Sequence, residues 1–66
     1  MTNQKSEPGW IVGQLRAWGA VEVESRLIAG DLARWRQAVI RAATDAGLRV
    51  LLLDSEHAIL VVDIEH

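Results

Sequence analysis

The sequence predicts a small α+β domain with the element order α-β-α-β-β. Three observations predict it. Apolar residues recur at helical spacing in two stretches that each end at a glycine; a stretch between them alternates with a period of two; and two aliphatic runs near the carboxyl end are separated by only three polar residues.

The first helix is expected over about residues 9–18. Trp10 opens it, and Ile11, Leu15 and Trp18 follow at the i, i+4, i+7 spacing of one helical face. Gly13 weakens it by about 1 kcal/mol relative to alanine, and Gly19 suits the stop. Residues 20–28 then alternate, with Val21 and Val23 on one side and Glu22, Glu24 and Arg26 on the other. That is the pattern of a half-buried strand, and its charges suit an edge position.

The second helix, residues 31–46, is the clearest element. Asp31 can accept backbone N–H groups at its start, and Gly47 fits its end. Leu32, Trp35, Ala38, Val39, Ala42, Ala43 and Ala46 form one apolar stripe, while Arg34, Gln37, Arg41, Thr44 and Asp45 occupy the opposite face.

Leu48–Asp54 and Ala58–Ile64 read as an antiparallel hairpin closed by Ser55, Glu56 and His57. Neither run alternates, as expected of strands covered on both faces. The third strand is the most apolar, so the expected spatial order is 1-3-2. Two helices cover one face of a three-stranded sheet, and the second face is expected to be buried by dimerisation.

Size supports that expectation. The chain has 66 residues, half of them apolar, and no cysteine. A domain of about 60 residues buries only ~60% of the surface its unfolded chain exposes, and neither disulfide nor thiolate metal site is available here to compensate. Association with a second copy is the remaining remedy. Residues 1–8 read as a flexible polar tail, and residues 9–66 as the single domain. The tail has no apolar segment of a signal peptide, and no aliphatic stretch approaches the roughly 20 residues that cross a bilayer. A soluble cytoplasmic protein without membrane contacts is expected. Arginine outnumbers lysine six to one, a composition associated with GC-rich bacterial or phage genomes.

Four constellations bear on function. Asp54-Ser55-Glu56-His57 and Asp63-Ile64-Glu65-His66 nearly repeat, and each carries residue types that ligate divalent ions. However, His57 and Asp63 lie six residues apart on one strand, about 20 Å, so a single chain cannot unite the two groups. No metal site and no cofactor is expected. Ser6, Ser25 and Ser55 stand outside any nucleophile-elbow context, and two small helices make no catalytic pocket, so no enzyme is expected.

The third constellation is cationic. Arg34, Arg41 and, slightly to one side, Arg36 line the outer face of the second helix with Gln37 between them, residue types that suit phosphate and base edges. The fourth is apolar. Trp35 belongs to the core, whereas Trp10 and Trp18 on the first helix serve either the core or an interface. Leu51, Leu53, Leu60 and Val62, or the alternate set one residue along, are the candidates for self-association or partner contact. The expected function is a non-catalytic homodimeric protein–protein interaction module with an accessory or regulatory role. The alternative is a nucleic-acid-binding regulator using Arg34, Arg36, Gln37 and Arg41.

Overall fold

In a computed structural model that describes residues 6–28 and 30–66, the chain forms helix α1 (Pro8–Trp18), strand β1 (Ala20–Glu24), a 3-10 turn (Ser25–Leu27), helix α2 (Leu32–Asp45) and strands β2 (Val50–Asp54) and β3 (Ala58–Asp63). The fold is α+β with the expected element order, and the sheet order is β1-β3-β2. Both outer strands run antiparallel to β3, so β1 and β2 are parallel to each other, with α2 carrying the chain between them.

Each boundary has a local cause. Pro8 begins α1 because its fixed φ suits the first turn, where no N–H is needed. Gly19 ends it at φ +82°, its N–H donating to the Leu15 carbonyl at 2.8 Å. Asp31 caps α2 by accepting from the Ala33 N–H at 2.9 Å. Past its other end, Gly47 adopts φ +80°.

β1 is shorter than the 20–28 alternation predicts. Glu24 pairs with Ala58, the first residue of β3, so β1 has no ladder partner beyond it. The Ser25 N–H instead donates to the His57 carbonyl, and the Ile28 N–H closes a turn on Ser25. Of the expected tail, residues 1–5 lie outside the described residues. Ser6 is anchored, because its carbonyl accepts the Trp35 indole N–H at 2.7 Å.

Register decides which strand residues meet the helices. Val21, Val61 and Leu52 stand in one cross-strand row, and Val23 and Ile59 in another. These side chains face α1 and α2; Val23, Ile59 and Val61 form the core with Ile11, Leu15, Trp35 and Val39, and Val21 and Leu52 are half-buried against it. Trp10, Ile28, Leu48 and Val50 pack around it.

The buried stripe of α2 is narrower than its periodicity predicts. Trp35, Val39 and Ala43 are buried, but Ala38 is exposed and Leu32 is 41% exposed. One neighbouring helix and one sheet face cover only part of the stripe. Trp18 departs further: it keeps the helical spacing of Ile11 and Leu15 yet is 74% exposed. It is the last helical residue, and Gly19 immediately turns the chain into β1 before another helical turn could cover it.

Candidate functional site

The sheet face turned away from the helices is open. Its central rows are Ala20, Val62 and Leu51, then Glu22, Leu60 and Leu53. Leu51 and Leu53 are 49% and 46% exposed, and Leu60 and Val62 are partly covered by these neighbours. Thus the four aliphatic residues singled out from the sequence share this face, and the alternate set one residue along faces the helices. Glu22 and Glu24 border the aliphatic patch along β1.

The two edges of the sheet differ chemically. Along β2, Arg49 accepts from the Ile64 N–H and the Ser55 N–H donates to Ala58. Arg49, Leu51, Leu53 and Ser55 therefore direct their backbone groups toward β3. The N–H and C=O groups of Val50, Leu52 and Asp54 point off the edge and have no protein partner among the described residues. On β1 the outward groups belong to Ala20, Glu22 and Glu24. The β1 edge is thus guarded by two carboxylates, while three leucines occupy the middle of β2.

The arginines of α2 separate into two sets. Arg34, Gln37 and Arg41 are exposed and line an open depression of about 390 Å3 together with Ala38 and Ile40. A single convex helix supplies all these walls, so this is a surface hollow and not an enclosed binding cavity. Arg36 does not join that face: it is part-buried and forms an ion pair with Asp54 of β2. This places the Arg36 flank of α2 beside β2. Leu32 precedes Arg36 by one turn and Ile40 follows it by one, and these side chains are 41% and 45% exposed. The spacing of Leu32, Arg36 and Ile40 was available in the sequence; the Arg36–Asp54 contact that orients it was not.

The tryptophans take three environments. Trp35 is core at 8% exposure, Trp10 is half-buried against the core, and Trp18 stands in solvent beyond it. The acidic and histidine clusters lie at opposite ends of the hairpin, since Asp54 pairs with Ile59 and Asp63 with Val50. Asp63 is buried, and its carboxylate accepts the Glu65 N–H at 3.1 Å. Glu56 and His57 are exposed side by side in the hairpin turn. Among the described residues no three His, Asp or Glu side chains converge to hold a metal ion, and no buried side-chain N or O lacks a hydrogen-bond partner. No helix among them is long and apolar enough to cross a membrane.

Fold and surface together define a two-layer α+β protein with one open apolar sheet face and one unguarded sheet edge. Comparison with protein families, with curated proteins and with solved structures gives no match.

Proposed function

We propose that the protein is a small, non-catalytic, homodimeric protein–protein interaction module that works through its sheet surface. The observation that carries this reading is the open face, where Leu51, Leu53, Leu60 and Val62 form one patch without a charged residue inside it. A sheet with one face left apolar gains most of its missing burial by contact with protein, at ~25 cal/mol per Å2 of apolar surface removed from water. The acidic border along β1 gives the patch the polar rim typical of such contacts. Light scattering after size exclusion tests the association. A mass of twice the 7.3 kDa chain is expected, and a monomer at every concentration overturns the homodimer.

A second reading, nucleic-acid binding, is favoured by one feature: Arg34, Gln37 and Arg41 lie on one exposed face of α2, and neither arginine has an ionic partner among the described residues. It predicts duplex-DNA affinity that falls with salt by a log–log slope of about −0.9 per phosphate neutralised. Replacing Arg34 and Arg41 by alanine then removes binding while the fold survives. Affinity unchanged by that double substitution dismisses this reading.

A further inference from the structure

We propose that two copies of this chain join through their β2 edges, in antiparallel register about a two-fold axis at Leu52, to make one continuous six-stranded sheet. The inference rests on the homodimer reading above but assigns the contact between copies to the β2 edge, so that the open face serves a different protein. The outward N–H and C=O groups of Val50, Leu52 and Asp54 are a ready row of donors and acceptors, and what they fit is another strand.

The partner strand is identified by what β2 carries. Turned about Leu52, the segment Val50–Asp54 opposes itself: Leu52 meets Leu52, Leu51 meets Leu53, and Val50 meets Asp54. No like charges are opposed, and each Asp54 stays with its own Arg36. The corresponding arrangement of β1 sets Glu22 against Glu22, a destabilising like-charge pair. The sheet therefore has one edge suited to self-pairing and one that repels it.

A second contact comes from the helix layer. Leu32 and Ile40, two large exposed aliphatics of α2, lie one turn before and one turn after Arg36, which pairs with Asp54 of β2, and Ile40 also borders the Arg34–Gln37–Arg41 hollow. Joining the β2 edges brings these flanks of the two copies together above the seam. The interface then has a strand ladder in one layer and aliphatic contact in the other. Across the seam Leu51 and Leu53 of both copies become neighbours, so the open apolar face is extended and left free for a different protein.

Amide hydrogen exchange on the wild-type chain, at concentrations above and below the dissociation constant found by light scattering, tests this. The Val50, Leu52 and Asp54 amides are expected to slow by about tenfold or more as the dimer forms, while Leu51 and Leu53, already bonded to β3, are protected throughout. A dimer in which the Val50, Leu52 and Asp54 amides exchange as in the monomer overturns the edge assignment and leaves the homodimer standing. A chain that never dimerises overturns both. Substitution separates the surfaces further. V50P removes one outward N–H at the first residue of an edge strand, where proline is tolerated, and is expected to weaken the dimer by about tenfold or more. L60K, at a half-buried position of the open face on central strand β3 and away from the β2 edge, is expected to change it by no more than about twofold. The reverse pattern assigns the dimer to the sheet face and overturns the inference.

Discussion

Gly19 and Gly13 show how one residue type serves opposite ends at two positions. Gly19 has φ +82°, and a Cβ there would stand 2.7 Å from Cγ of the His66 ring. Gly19→Ala is expected to lower stability by about 1–2 kcal/mol for the left-handed backbone, with a further loss from the contact. Adding His66→Ala should recover only the contact part, and urea unfolding of the single and double variants separates the two. Gly13 lies inside α1 with open space around it and no positive φ. Gly13→Ala is expected to raise stability by about 0.5–1 kcal/mol, read in the same experiment. Position along the chain suggested both roles, since one glycine follows an apolar helical face and the other interrupts it. The packing of His66 on Gly19 has no local sequence signal, because the two lie 47 positions apart in the chain.

Among the elements, periodicity was most informative where a helix or strand met its core in the middle of its length. Asp31, the central turns of α2 and the alternation of β1 through Glu24 are all legible that way. It failed where tertiary contact ends an element. Trp18 continues the spacing of Leu15, yet Leu15 is fully buried and Trp18 is 74% exposed. Leu15→Ala is accordingly expected to cost about 2–5 kcal/mol. Trp18→Ala is expected to stay within about 0.5 kcal/mol of the parent in thermal or urea unfolding, as exposed substitutions do. A loss at Trp18 comparable to that at Leu15 would contradict the placement of α1. The aliphatic runs of β2 and β3 also hid their orientation, since without alternation neither face is marked as inner. Register resolves it: Val61 and Leu52 stand in the row of Val21, so Leu51, Leu53, Leu60 and Val62 take the other face.

At the scale of the whole molecule, the sequence carries more apolar residues than one helix layer and one sheet face can cover. The surplus is not spread evenly. Apart from Trp18 and Ile64, it gathers on the open face, on the β2 edge and on the Leu32–Ile40 flank of α2, while charge borders β1. The pairing of Arg36 with Asp54 joins the last two places and removes one cation from the expected arginine face. On the proposal above, this arrangement makes a dimer through β2. The most direct test mixes isotope-labelled and unlabelled chains and records nuclear Overhauser contacts only between copies. Contacts of Leu52 with Leu52 and of Leu51 with Leu53 are expected across the two-fold, together with Ile40 contacts in the helix layer. Contacts between copies confined to Leu60 and Val62, or a mass that stays that of a single chain at every concentration, would contradict the proposal.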